Sequence, residues 1–398
     1  MSKAVEDAIA NLSLDENKSK EDVSVKKETS TQYIPAEVMV NILKRLPGKS
    51  LVRFMTVCKS WHSLRLNYFF HNLHLDHSLK NPNILIFDRN IVYLVSNFDN
   101  QLVIEKQFSA EVQRQEASYT SNTCRGLMIL YGPKWGYVLN PCTRKVEDLP
   151  KATPVGRDHN HPSIGLGFST GTLELKVVRI YEGGKGRSCE VCTLGEGTWR
   201  PIEKGVPFSV AECLPAYVNG GLYWIVKEKY NCILRFDVTK EEFTVVSFPP
   251  SLTKSLGGKS QLSLSVLRGR ICLVHWSLSS QIEFGDNDPC NPVIYLYILD
   301  DSYGFTWKCE HEIWPDMPYS ESISIVISND KVLLFRPNWE IWYSYDLQEG
   351  ITCQLSTPQD CSVLRSIDST PLLVSCEESI VPVPKVTRRI SRNKLLKE

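Results

Sequence analysis

An excess of either charge is missing from this 398-residue sequence, in which 45 Lys and Arg balance 45 Asp and Glu. No global field draws the chain to nucleic acid or to an anionic membrane, so partners have to be chosen by local surface. Long hydrophobic runs are missing too. None approaches the ~20 apolar residues that span a bilayer, and Met1-Ser2-Lys3-Ala4-Val5-Glu6-Asp7 has no apolar signal core. The expectation is a cytoplasmic or nuclear protein. Cysteine is plentiful, but a paired framework is not. The 13 cysteines are an odd number, scattered singly in apolar stretches such as Arg270-Ile271-Cys272-Leu273-Val274, as suits buried reduced thiols. No disulfide is expected.

Catalytic signatures are equally scarce. There is no G-x-S-x-G, no H-E-x-x-H and no nucleophile beside an evident base. Cys189-Glu190-Val191-Cys192 is a C-x-x-C, but on a strand its thiols point to opposite faces, and no second pair sits at zinc spacing. His159-Asn160-His161 with Asp158 reads as an exposed polar loop without a fourth ligand. Gly183-Gly184-Lys185-Gly186-Arg187 lacks the register that wraps phosphate and suits a hairpin turn. No metal and no cofactor are expected, and the chain should bind rather than catalyse.

What is present is organised around residues 34–61. Val38, Ile42 and Leu46 recur at helical spacing, Met39 and Leu43 widen the stripe, Pro47-Gly48 interrupts it, and Leu51, Phe54, Val57 and Trp61 resume it. Two or three short helices are predicted. So short a segment cannot close a core alone, so it either packs on the following domain or forms a docking surface. The run resembles an F-box, matched at Ile34-Pro35, Glu37, Ile42-Leu43, Leu46-Pro47, Lys49-Ser50-Leu51, Arg53-Phe54, Val57-Cys58-Lys59 and Trp61. That resemblance implies binding to the Skp adaptor of a cullin-RING ubiquitin ligase. It assigns the contact to Ile34, Pro35, Ile42, Leu43, Leu46, Pro47, Leu51, Val57, Cys58 and Trp61.

Beyond Asn81-Pro82-Asn83 the pattern changes to strands. Gly221-Leu222-Tyr223-Trp224-Ile225-Val226, Ile233-Leu234-Arg235-Phe236-Asp237-Val238 and Phe243-Thr244-Val245-Val246 read as a small antiparallel sheet whose first strand is apolar on both faces. Six such units recur over nearly three hundred residues, the repeat pattern of propeller blades. The predicted fold is therefore mainly β, a small helical module followed by a β-propeller of about six blades, with a β-sandwich as the alternative. Pro371-Leu372-Leu373-Val374-Ser375 is a candidate strand to close the ring. Asn140-Pro141-Cys142-Thr143-Arg144 with Leu149-Pro150, Gly165-Leu166-Gly167-Phe168 with Lys176-Val177-Val178-Arg179, Thr198-Trp199-Arg200 and Arg235-Phe236-Asp237 are similar to the F-box-associated, kelch-like domain of plant F-box proteins.

These readings divide the chain into a disordered tail at 1–32, adaptor-binding helices at 33–75, a propeller-like recognition domain at 80–376 and a basic tail at 377–398. The tail, basic from Lys385 to Lys394, reads first as a solvated end; a nuclear-import signal is the alternative, and Arg388-Arg389-Ile390-Ser391 resembles a basophilic kinase site. The resemblance implies the substrate receptor of a Skp-cullin-F-box ligase, with cullin and RING subunit reached through the adaptor and a target protein held by the β domain. The alternatives are a propeller enzyme or sugar-binding module, and an F-box protein acting outside a ligase. Long loops carry binding on compact scaffolds, which makes Asp158 and His159, Phe284 and Asp286, and an exposed Trp135 the candidate target contacts. If the modules are independent, a chain lacking residues 1–78 should keep its β circular-dichroism spectrum, whereas an isolated 30–78 segment should be poorly folded.

Overall fold

The computed structural model describes residues 34–385 except 65–66, 81, 89–90, 99–100, 110–118, 133–134, 153–161, 184–185, 228–230, 256–259, 279–291, 303, 317–322, 329, 337–340 and 356–371. Among the described residues four helices come first: α1 (Ala36–Leu43), α2 (Gly48–Phe54), α3 (Lys59–Ser63) and α4 (Tyr68–Ser78). Pro35 and Pro47, both with extended backbones, immediately precede α1 and α2, where a missing N–H costs nothing. The Asn67 side chain caps α4 by accepting from Phe70 N at 3.0 Å. Leu43, Leu51, Met55, Leu64 and Phe70 bury one another, with Met39, Val40, Leu46 and Trp61 half-buried at the margin. No helix among the described residues is long and apolar enough to cross a membrane.

The rest is a six-bladed propeller, counted among the described residues, each blade a four-stranded antiparallel sheet. The blades are β1 (Asn83–Asp88), β2 (Ile91–Phe98) and β3 (Gln101–Ser109) with β24 (Leu372–Cys376); β4 (Tyr119–Thr120), β5 (Met128–Tyr131), β6 (Gly136–Asn140) and β7 (Lys145–Asp148); β8 (Ser163–Ser169), β9 (Glu174–Gly183), β10 (Gly186–Thr193) and β11 (Arg200–Pro201); β12 (Ala216–Val218), β13 (Gly221–Ile225), β14 (Cys232–Asp237) and β15 (Glu242–Ser247); β16 (Ser260–Leu267), β17 (Arg270–Leu278), β18 (Pro292–Asp300) and β19 (Thr306–Ile313); and β20 (Ser324–Ser328), β21 (Lys331–Arg336), β22 (Ile341–Asp346) and β23 (Thr352–Leu355). A short α5 (Pro250–Ser255) links the fourth and fifth. First strands meet from blade to blade, β8 with β12, β12 with β16, β16 with β20 and β20 with β24, which sets them around the axis.

Alternation explains why a ring forms rather than a sandwich. Along β13, Leu222 and Trp224 enter a core shared with β8–β11, while Tyr223 and Ile225 enter one shared with β16–β19. Along β21, Val332 and Leu334 face one neighbour, and Leu333 and Phe335 the other. Six such cores lie between successive blades, and two apolar faces per strand leave no face for water. The ring closes where β24 pairs with β1, with Leu373 opposite Ile86 and Val374 opposite Leu85, so the proposed closing strand is present.

Residues after β24 differ from the expected tail. Glu377 to Lys385 run as a strap between ring and helices, and residues 386–398 lie outside the described ones. Asn140 Nδ2 donates to Ser379 O at 3.0 Å and to Val381 O at 2.9 Å. The Glu378 carboxylate accepts from Gly48 N at 2.7 Å, Val383 joins a blade core, and Ile380, 3% exposed, completes the helical core. Gly126 passes under this strap at φ +68°, and a Cβ there would lie 2.2 Å from Ser379 Cβ. The helices also rest on the ring through Arg125, which donates to Asn72 Oδ1 at 2.6 Å and lies over the Tyr68 and Phe168 rings. Sequence reading missed the strap because its apolar residues, Ile380, Val381 and Val383, follow no strand or helix period.

Two outcomes follow from this architecture. Ile380→Ala should destabilise the helices by about 2–4 kcal/mol, the cost of emptying a buried aliphatic site, seen as faster amide exchange in α1–α4 with blade amides unchanged. His275 is fully buried against Tyr295, and neither ring nitrogen has a hydrogen-bond partner. Burial holds its pKa below the ordinary 6.5, so the unfolded chain takes up the proton first and stability falls as pH drops below about 6.5. His275→Phe should raise thermal stability at neutral pH, by about 1 kcal/mol for the relieved unpaired nitrogens, and flatten the acid side of the stability–pH curve.

Candidate functional site

The helices carry more apolar surface than their core uses. Met39 and Leu43 turn α1 inward, while Val38 and Ile42, one position earlier in each turn, face out. Ile34, Val52, Phe54 and Val57 are exposed as well, and the six lie between 39% and 65% exposure. Phe54 meets Trp61 edge to face at 5.8 Å. Isolated exposed apolar residues are ordinary, but six along one small module point to a covered surface.

This divides the sequence-predicted contact residues. Ile34, Pro35, Ile42, Pro47, Val57 and Cys58 are exposed, and Trp61 and Leu46 are half-buried. Leu43 and Leu51, at 2% and 1% exposure, belong to the module's own core and cannot also form a docking face. The Leu46 carbonyl accepts from His74 Nε2 at 3.0 Å, which anchors the α1–α2 turn to α4. Val38, Val52 and Phe54 were not singled out as contacts. Their signal was an apolar stripe wider than one buried face of so short a helix needs.

The helices occupy one face of the ring, against the end of β8 (Phe168), the segment after β4 (Arg125, Gly126), the β6–β7 turn (Cys142) and the strap. At the opposite strand ends lies a cavity of about 240 Å³ shared by three blades. Its walls include Tyr119, Tyr131, Tyr181 and Val210, with Arg187, Lys227, Glu182 and Glu212 around them. Tyr119 and Tyr131 pack with ring centroids 5.7 Å apart. Tyr181 donates to Glu190 Oε1 at 3.1 Å, and Glu190 is paired with Arg179 at 3.0 Å in a fully buried bridge. A pair so buried adds little net stability, but it fixes orientation because breaking either half strands a charge. The Tyr181 wall is thus rigid. Burial pushes the Cys213 thiol up to about 11 and raises the Tyr119 and Tyr181 phenols, so at neutral pH these groups are protonated and suited to contact, not to nucleophilic attack. The volume exceeds the ~150 Å³ that accepts a benzene ring and falls below the ~300 Å³ of small drug sites, a size for one bulky side chain.

Trp135 is not the exposed anchor expected of it. It is half-buried in the core between the first two blades, 5.5 Å from the Tyr137 ring, and its indole Nε1 is buried. Asp158, His159, Phe284 and Asp286 lie outside the described residues. Cys189 and Cys192 enter two different inter-blade cores, as alternation requires, and burial raises both thiols to about 12. No disulfide joins the described cysteines, and no group of three metal-binding side chains occurs among the described residues.

Comparison with known proteins agrees with this geometry. Residues 31–76 match the F-box-like family, and residues 83–339 match the F-box associated beta propeller domain. A putative F-box protein of Arabidopsis thaliana is 28% identical over 369 residues, 83% of this chain and 81% of the relative. Two F-box/LRR-repeat/kelch-repeat proteins of the same plant are 28% and 27% identical over 288 and 318 residues, covering 64% and 76% of this chain and 74% and 83% of the relatives. With the propeller family matched over more than half its length and the F-box helices ahead of it, the chain belongs to the plant F-box proteins that carry an F-box-associated β-propeller.

Proposed function

We propose that this protein is the substrate receptor of a Skp-cullin-F-box ubiquitin ligase. The F-box implies binding to a Skp-type adaptor, and the observation that carries the reading is the number of exposed apolar side chains, Ile34, Val38 and Ile42 first among them, on a module whose core is already filled. An adaptor seated on them reaches cullin and the RING subunit, and the propeller holds a target on its far face. Proteins of this family are typically non-catalytic adaptors. The receptor's contribution is proximity: a target held near a ubiquitin-charged enzyme meets it at a raised effective concentration. Described cysteines joined by no disulfide suit a cytoplasmic or nuclear setting.

Target choice is assigned to the cavity bounded by Tyr119, Tyr131, Tyr181, Arg187 and Lys227. It takes one bulky side chain of the target, while the charged residues around it contact the flanking peptide. Separation of the two faces lets one chain hold adaptor and target together without competition.

Ile42→Asp should abolish adaptor binding and leave the thermal transition unchanged, because it places an unpaired carboxylate in a dry interface without touching the core. Leu43→Asp should unfold the module instead. Co-purification with the adaptor, beside circular dichroism, separates the two, and a folded Ile42→Asp protein that still binds adaptor would sink the assignment. For the target face, affinity purification with cullin and proteasome activity blocked should recover proteins with the native chain that Tyr181→Ala combined with Arg187→Glu fails to recover, at equal adaptor content. Identical recovery would move the target site elsewhere.

A further inference from the structure

The inner edge of the fourth blade is interrupted. Two pieces lie along β13: Ala211 N donates to Ile225 O at 2.7 Å, Lys227 N donates to Ser209 O at 2.8 Å and Val210 pairs with Val226, while in β12 Ala216 stands opposite Tyr223. Between the pieces, residues 212–215 stand opposite Trp224 alone. Pro215 has no N–H to give a ladder, and sheets accept such a residue at edges and bulges. An excursion of this kind re-aims side chains, and Leu214 shows where. It packs, with Trp135 and Tyr137, against the core between the first two blades, although its own sheet is the fourth and the third stands between. Ala211 and Cys213 stay behind at the core between the fourth and fifth blades. The excursion therefore spans the inside of the ring.

Glu212, Cys213 and Leu214 also line the cavity of about 240 Å³, beside Tyr119 and Tyr131 of the second blade and Tyr181 of the third. One wall of the cavity is thus a segment propped at both ends, by the β13 ladder and by Leu214 on the first two blades. The charges around it answer one another: Glu212 pairs with Lys227 at 3.7 Å, and Arg187 stands opposite Glu182 in the β9–β10 register. Two carboxylates and two cations leave no net charge to select a charged side chain. Hydroxyls at the wall are engaged as well, since Thr120 Oγ1 donates to Ser121 O at 3.0 Å and Ser163 Oγ accepts from Trp224 Nε1 at 3.0 Å. What remains for an occupant is rings and aliphatic groups, with Tyr119 and Tyr131 tilted by 30° to each other beside Ile180, Val210 and Leu214. An aromatic ring gains an oriented contact on such walls that an aliphatic chain lacks. It also fills a space in which a smaller side chain would leave wall atoms without partners.

We propose that the 212–215 excursion is the specificity element of the target cavity, and that the cavity admits an uncharged aromatic side chain of the target whose size Leu214 selects. This rests on the target-cavity reading above and names the class of residue that it takes. The occupant is a protein side chain because Arg187 and Glu212 are exposed beside the cavity. They supply donors and an acceptor for flanking peptide, contacts that a free aromatic molecule would leave unused.

The test titrates purified full-length chain with capped pentapeptides, Gly-Ser-Xaa-Ser-Gly, in which Xaa is Trp, Phe, Leu, Lys or Glu, and reads binding by saturation-transfer NMR. The Phe and Trp peptides should bind about fivefold or more tighter than the other three. Leu214→Ala, which enlarges the cavity, should shift the ratio of Trp to Phe affinity by about threefold or more toward Trp. Leu214→Met, close to the native volume, should keep the native ranking, and it stands in for the folded control if Leu214→Ala melts early. Ile351→Ala, exposed on the turn between β22 and β23, should bind as the native chain does. Equal binding of all five peptides, a preference for Lys or Glu, or no binding at about 5 mM would overturn the aromatic assignment. Saturation by free indole that the Trp peptide fails to displace would overturn it in favour of a small-molecule site. An unchanged Trp-to-Phe ratio in folded Leu214→Ala would remove the excursion as the specificity element. If the peptides show no ranking while Tyr181→Ala with Arg187→Glu still loses its target, the cavity reading stands and this inference is wrong. If that variant also keeps its target, the failure lies in the cavity reading itself.

Discussion

The pairing of β24 with β1 is the contact on which both halves of the molecule depend. It completes the first blade with the end of the chain, so the blade faces lined by Ile84, Ile86, Leu85 and Phe87 acquire Leu373 and Val374 as partners. Loop closure over almost three hundred residues is entropically expensive, though its cost grows only slowly with length. It is offset by the core between the last and first blades, which exists only when the ring is shut, and by Val374 and Cys376, which complete the core between the first two. The strap that leaves β24 then carries Ile380 into the helical core. The N-terminal module is thereby completed by residues near the opposite end of the chain, and ring closure and module packing are mechanically continuous.

That continuity bears on function. Four short helices bury five large apolar side chains, too small a core to hold them rigid on its own. The strap, Arg125 and the tight seat of Gly48 on Cys142 supply what is missing. Ile380 fills the helical core beside Leu43, Leu51 and Phe70, so that core is complete without the exposed apolar side chains. The same seating sets Arg144 of the propeller beside Lys49 and Arg53 of α2.

The two ends of the blades are used differently. Helices and strap take one, and the tyrosine-lined cavity opens at the other. Strand direction enforces this: side chains at the start of a first strand and at the end of the second share a face, while the intervening turn lies on the far one. Tyr119, Tyr131, Ser163 and Tyr181 satisfy this rule, as do Arg125 and Phe168 on the other side.

Much of this was legible from local pattern. Period-two strands with two apolar faces, as in Leu222-Tyr223-Trp224-Ile225, predicted stacked blades because such a strand has no face to give to water. Helical spacing and Pro47-Gly48 placed α1 and α2, and odd spacing sent Cys189 and Cys192 into separate cores. What local pattern did not settle was which side of an all-apolar helix faces inward. Ile42 and Leu43 are equivalent by period and composition, and only packing against Phe70 and Ile380 made Leu43 core and left Ile42 outside. Trp135 likewise read as a loop residue, and the neighbouring blade buried it. The sequence by itself thus determined the repeating unit, its two-faced burial and the presence of a short helical module, because these follow from periodicities within a few residues. Tertiary structure alone decided which apolar residues remain outside, that the strap completes the helical core, and that Arg144 stands beside Lys49, because those depend on contacts between segments as far as 330 residues apart that no local period encodes.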